Sequence, residues 1–275
     1  MTMVDWVAGA GNVTAGGKRL EWVAFGKPPQ GDIPVIVMLH EGLGCVALWR
    51  DFPRRVSEAT GLPVFAYSRA GYGRSDPADL PRPLDYMTHE AVDVLPDVLA
   101  AIGAARYLLL GHSDGGTIAA EYAGRVEDFR IRGLILMAPH FFTEPMGLTE
   151  IGRARDAFVA TDLAERMAKY HDDPEATFRG WNDVWLDPRF LCWSVAEVIE
   201  YIRIPMLVIQ GRQDQYGTEA QVGEVVRSSY APVEVALLDD CRHSPQFDQP
   251  DRALAAIAGF VTRLERIEAE GVEVS

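Results

Sequence analysis

Short, nearly unbroken apolar runs recur along the chain, each ended by a polar or glycine-rich turn. They lie at Val35–His40, Pro63–Ser68, Arg106–Gly111, Gly133–Ala138, Met206–Gly211 and Val233–Leu238. Runs that do not alternate fit strands of a parallel sheet covered on both faces. A further strand pair opens the chain at Val4–Gly9 and Arg19–Phe25. Between the runs, apolar positions recur at helical spacing over Leu48–Thr60, Met87–Ile102, Gly115–Arg125, Thr218–Ser228 and Pro250–Glu270. This alternation predicts a doubly wound α/β sheet.

One interval breaks the rhythm. From Phe141 to Arg203 about sixty residues separate two strands, where a crossover needs only about a dozen. The surplus carries its own helical patterns near Leu148–Thr161, Leu163–Tyr170, Glu175–Val184 and Ser194–Tyr201. Trp181, Trp185 and Trp193, half of the chain's 6 tryptophans, also fall here. Such rings either fasten a small helical insert to the body or line the inner face of a lid.

Composition narrows the function classes. The chain has 275 residues, 48% of them apolar, and a formal charge of −14. That apolar share suits a folded α/β domain rather than a disordered chain. The negative charge argues against nucleic-acid partners and anionic membrane surfaces. Three cysteines cannot build a disulfide framework, which fits a reducing compartment. No apolar run reaches membrane-spanning length, and Met1–Ala10 lacks a basic, signal-like start. The expectation is a cytoplasmic protein acting on a small molecule, with homodimerisation left open.

Candidate chemistry gathers at strand ends. Gly111-His112-Ser113-Asp114-Gly115 stands between the strand Tyr107–Leu110 and a helical pattern. This is G-x-S-x-G in a strand–turn–helix context, so Ser113 is the candidate nucleophile. A serine hydroxyl needs a base to take its proton. His243, just beyond the last strand, lies on the same sheet edge and fills that role best. His112 should point away from Ser113 and be structural. His89 and His171 read as solvated, and His140 as a pocket candidate. Asp214, after Met206–Gln210, is the favoured carboxylate to orient the base, ahead of Asp239, Asp240 and Asp248. The oxyanion donors expected are the N–H of Asp114 and that of Gly42, with Leu43 second, in the loop His40-Glu41-Gly42-Leu43-Gly44. His40-Glu41 begins no zinc motif, because position 44 is glycine.

Together, His40–Gly44, Ser68-Arg69-Ala70-Gly71-Tyr72-Gly73-Arg74-Ser75, Gly111–Gly115, Gly211–Asp214 and His243-Ser244-Pro245 resemble the α/β-hydrolase superfamily in order and spacing. The resemblance implies an α/β-hydrolase fold: a mostly parallel eight-stranded sheet with helices on both faces. It also implies a helical cap inserted after the sixth strand, and no cofactor or metal. The core would comprise 1–140 and 204–275, and the cap 141–203. Glu41 departs from the glycine of many relatives and is expected to turn into a hydrogen-bonded network. Phe141, Phe142, Trp181 and Trp185, with Glu41 and His140, are the candidate pocket residues. Cys45 reads as packing. The function expected is a serine hydrolase of a small carboxylic ester or lactone. The alternatives are C–C bond hydrolysis of a ring-fission diketone, or amidase, thioesterase or acyltransferase chemistry. A non-catalytic ligand-binding relative is the remaining alternative.

Overall fold

The computed structural model describes residues 3–270. Among them, one sheet contains β1 (Ala10–Ala15), β2 (Lys18–Phe25), β3 (Val35–Leu39), β4 (Val64–Tyr67), β5 (Tyr107–His112), β6 (Ile131–Met137), β7 (Met206–Gly211) and β8 (Val233–Leu238). Their spatial order is β1-β2-β4-β3-β5-β6-β7-β8. β2 pairs antiparallel with β1 and β4, and all other pairings are parallel. The helices are α1 (Phe52–Thr60), α2 (Tyr86–His89), α3 (Leu95–Ile102), α4 (Asp114–Arg125), α5 (Pro145–Ala160), α6 (Leu163–Met167), α7 (Pro174–Trp185), α8 (Glu219–Ser228), α9 (Pro245–Asp248) and α10 (Pro250–Ala269). No helix among the described residues is long and apolar enough to cross a membrane.

The unbroken apolar runs are explained by two cores. Successive strand side chains point to opposite faces. Val35, Val37, Leu39 and Leu109 therefore pack on one face with residues of α3, α4 and α8. Ile36, Met38, Leu108 and Leu110 pack on the other, against Phe52 and Val56 of α1 and Ile257 and Phe260 of α10. Both faces are apolar, so no polar alternation survives.

Two expectations are corrected. The first strand is not Val4–Gly9 but Ala10–Ala15. Gly16 and Gly17, at φ +55° and +73°, make a two-residue turn that pairs Ala15 with Lys18. A turn with positive φ at both positions matches the right-handed strand twist, and glycine supplies it without strain. The single helix expected over Met87–Ile102 is instead α2, a π turn at Glu90–Val94, and α3. Pro96 has no N–H to bond the carbonyl of Val92, so the regular ladder cannot run through.

Between β6 and β7 the chain forms α5, α6, α7 and two 3-10 turns, Pro188–Cys192 and Ala196–Tyr201. Asp173 caps α7 by accepting the Ala176 N–H at 2.9 Å, with Pro174 in the first turn. Such a cap contributes about 1 kcal/mol. Thr177 of α7 donates to the Gly71 carbonyl at 2.6 Å, fastening this insertion to the loop after β4.

Candidate active site

The carboxyl ends of β3, β5, β6, β7 and β8 lie in register, so the loops that follow them open on one edge. Ser113 ends the turn after β5 and precedes α4, with φ +53° and ψ −120°. A non-glycine residue held in that region is strained and persists only where its surroundings enforce it. The enforcement is visible in the flanking glycines. A Cβ at Gly111 would lie 2.1 Å from the Gly115 carbonyl oxygen, and one at Gly115 would lie 2.1 Å from the Leu39 carbonyl oxygen. A side chain at Gly115 would push the turn away from β3, and one at Gly111 would push the first turn of α4 away from the end of β5.

His243 Nε2 stands 2.9 Å from Ser113 Oγ and accepts its proton's hydrogen bond. His243 Nδ1–H donates to Asp214 Oδ2 at 2.8 Å. Asp214 is held in turn by the Gln210 amide at 2.8 Å and by the N–H groups of Tyr216 and Gly217 at 2.8 and 3.3 Å. Burial alone would raise the Asp214 carboxyl. The charge and hydrogen bond of His243 and the Tyr216 amide outweigh it, holding the group at about 2. Asp239 pairs with Arg212 at the surface, and Asp248 accepts the Arg242 N–H at 2.8 Å, shaping the loop that carries His243. His112 turns away from Ser113 and donates from Nε2 to the His243 carbonyl at 2.7 Å, steadying that same loop.

The loop after β3 is clamped by a buried arginine. Arg69 is 1% exposed. Its guanidinium donates to the carbonyls of His40 and Glu41 at 2.5 and 3.1 Å and lies 3.8 Å from Asp114. His40 Nε2 accepts the Arg69 N–H at 3.1 Å, so its Nδ1 carries the proton and donates to the Glu41 carbonyl at 2.7 Å. With the carbonyls of this loop drawn to Arg69, the amides of Gly42 and Leu43 are left without a protein acceptor. So is the amide of Asp114, among the described residues. Burial raises the Asp114 carboxyl against the pull of Arg69. Its Oδ2 accepts from the Tyr86 hydroxyl, which accepts from Trp185 Nε1 at 3.1 Å. The Glu41 carboxylate folds back over Gly44 and approaches His112 at 3.5 Å.

His171 is a correction: it is buried, not solvated. Its Nδ1 accepts the Gly73 N–H at 2.9 Å, leaving Nε2–H to donate to the Leu43 carbonyl at 3.2 Å. The loop is thereby tied to the insertion as well. Nothing in the local pattern Lys169-Tyr170-His171-Asp172 separates such a residue from a surface histidine. His89 is exposed, between Asp85 and Asp93.

A cavity of about 110 Å³ opens above Ser113. Glu41, Gly42, Leu43, Ser113, Asp114 and His243 form its floor, and His140, Ile151, Trp181, Trp185 and Tyr216 form its walls. Phe141 and Phe142, expected here, do not reach it. Phe141 is buried in the core with its N–H on Gln221, and Phe142 forms a backbone bridge with Ser194. Ile151 and Tyr216 are wall residues that no motif marked. Burial, reinforced by the charge of His243, lowers the His140 imidazole to about 3, so it stays neutral. Burial also pushes the Cys45 thiol up to about 12, which fits a packing role.

The model of the alpha/beta hydrolase family matches residues 36–257, most of the chain. The chain belongs to that family. Among curated proteins, the human (lyso)-N-acylphosphatidylethanolamine lipase is 33% identical over 139 residues, 50% of this chain and 40% of its own length. The chain spans well under half the length of the curated relatives that it matches at 30% identity or more. Among solved structures, proline iminopeptidase of Mycobacterium smegmatis aligns with a TM-score of 0.73 at 19% identity, over 94% of this chain and 99% of that one. The enol-lactonase of Burkholderia xenovorans LB400 aligns at 0.70 and 20% identity, over 92% and 100%. These likenesses place the chain's fold among alpha/beta hydrolases.

Proposed function

We propose that this alpha/beta hydrolase is a serine hydrolase that cleaves small carboxylic esters or lactones. The observation that carries the reading is the unbroken chain Ser113 Oγ, His243 Nε2, His243 Nδ1 and Asp214 Oδ2, with links of 2.9 and 2.8 Å, at the floor of a small cavity. His243 takes the Ser113 proton as Oγ attacks the acyl carbon. The amides of Asp114 and Gly42, with Leu43 beside them, stabilise the oxyanion. His243 then returns the proton to the departing alkoxide, leaving an acyl group on Ser113. Water, activated by the same imidazole, releases the acid. Asp214 keeps the imidazole in the correct tautomer and balances its charge. In this reading 141–203 is a cap over the site.

The cavity favours a neutral, compact substrate. At about 110 Å³ it falls below the roughly 300 Å³ at which pockets for drug-sized ligands begin. Its lining includes, among the described residues, no Lys or Arg that would balance an anionic group. Arg153, Arg155, Arg166 and Arg179 each pair with an acid close by on the insertion's surface. This weighs against an anionic ring-fission diketone. A panel of nitrophenyl esters of rising acyl length, with a ring-fission dienoate beside it, tests the reading. The expected result is fastest turnover on the shortest acyl groups and none on the dienoate. Dienoate turnover without ester turnover would transfer the assignment to C–C hydrolysis.

A further inference from the structure

Trp181 sits on α7, directly over the loop that follows β3. A Cβ at Gly42 would lie only 2.1 Å from Trp181 Nε1 and 2.5 Å from its Cδ1, so the indole edge occupies the space that glycine leaves. The N–H of this ring differs from those of Trp185, Trp6, Trp22 and Trp49. Trp185 Nε1–H donates to the Tyr86 hydroxyl at 3.1 Å, and the indole nitrogens of Trp6, Trp22 and Trp49 are sealed in the interior without partners. Trp181 Nε1 has no protein acceptor among the described residues, yet it is not sealed, because the ring forms part of the wall above Ser113. The side chain is held in place by the edge-to-face packing of Phe178, 6.1 Å between centroids, with Phe158 stacked behind it at 4.1 Å. A donor left free beside the cavity, against the glycine whose own amide is free, is placed for an oxygen of the substrate.

We propose that Trp181 Nε1–H is a third hydrogen-bond donor to the substrate carbonyl oxygen, supplementing the amides of Gly42 and Asp114. This rests on the serine-hydrolase reading and adds to it a catalytic residue supplied by the insertion. Gly42 has two roles in this arrangement. Its amide, without a protein acceptor beside the cavity, is free to meet the reacting oxygen, and its missing Cβ admits the indole. As the carbonyl becomes an oxyanion the indole bond strengthens, so its effect falls on kcat more than on KM. No proton is transferred: the N–H polarises and stabilises, and His243 does all the proton transfer.

The test compares the wild type with Trp181→Phe on a short nitrophenyl ester and on its thionoester, whose sulfur is a poor hydrogen-bond acceptor. Loss of a donor to a charged oxygen is expected to lower kcat on the oxygen ester by roughly 10- to 100-fold, with little change in KM. The ratio of oxygen-ester to thionoester turnover should fall with it, which simple loosening of the fold would not produce. Placing 3-benzothienylalanine at position 181 keeps the ring's shape and removes only the N–H. It should reproduce the fall, and it decides the question if Trp181→Phe is unstable. An unchanged ratio in an active variant overturns the role of Trp181 and leaves the hydrolase reading intact. A wild type that turns over no ester and takes no fluorophosphonate overturns both.

Discussion

At the residue scale, the candidate chemistry depends on His243 and two side chains 29 and 130 positions away from it, which meet it within hydrogen-bond distance. Ser113→Ala and His243→Ala should each abolish ester turnover. Asp214→Asn should leave the fold intact and lower kcat by about 10⁴, since the amide stabilises the wrong imidazole tautomer. Full activity in Asp214→Asn would require another acid, and the surface pairing of Asp239 offers none. His140 supplies a pH dependence of stability. Its imidazole titrates near 6.5 when exposed and at about 3 in the folded protein. The unfolded chain therefore binds the extra proton throughout that window, and acidification from 6.5 toward 3 favours unfolding. The slope is at most about 1.4 kcal/mol per pH unit for one proton. Denaturant melts of His140→Gln against the wild type should show a shallower loss over this range. Ser113, Asp214 and His243 were legible because each follows an apolar strand. Arg69 and His171 were not, because their significance lies in backbone carbonyls that only the folded loop brings to them.

At the scale of elements, the site is made by strand ends and the turns that leave them. The G-x-S-x-G turn needs its glycines for two backbone approaches at 2.1 Å. Gly111→Ala should therefore cost about 3 kcal/mol or more, beyond an ordinary overpacking penalty. Urea unfolding would measure it, and near-wild-type stability would mean that the first turn of α4 can relax away from the end of β5. The strands of the parallel core could be read because both of their faces are buried, which leaves runs without alternation. The first strand could not, since apolar residues at Val4–Val7 outweighed the Gly16-Gly17 turn that fixes the true pair. The helix expected across Met87–Ile102 failed at Pro96 for lack of one N–H. Phe141 and Phe142 looked like pocket residues because they open the insertion. The backbone there instead turns into the core through Gln221, a contact 80 positions away.

At the scale of the molecule, the strand ends and their loops form the floor of the cavity, and Ile151, Trp181 and Trp185 of the insertion join His140 and Tyr216 in its walls. The order of motifs foretold the eight-stranded, mostly parallel sheet. The size of the cavity was not legible, because it depends on how α5 and α7 settle Ile151, Trp181 and Trp185 over the β3 loop. The central claim is that Ser113 is activated for attack on an acyl carbon. Its most direct test is intact-mass detection of a fluorophosphonate adduct, followed by peptide mapping. The account predicts one adduct per chain, located on Ser113, and absent from Ser113→Ala. An unlabelled wild type, or a label that persists at another residue in Ser113→Ala, would contradict it.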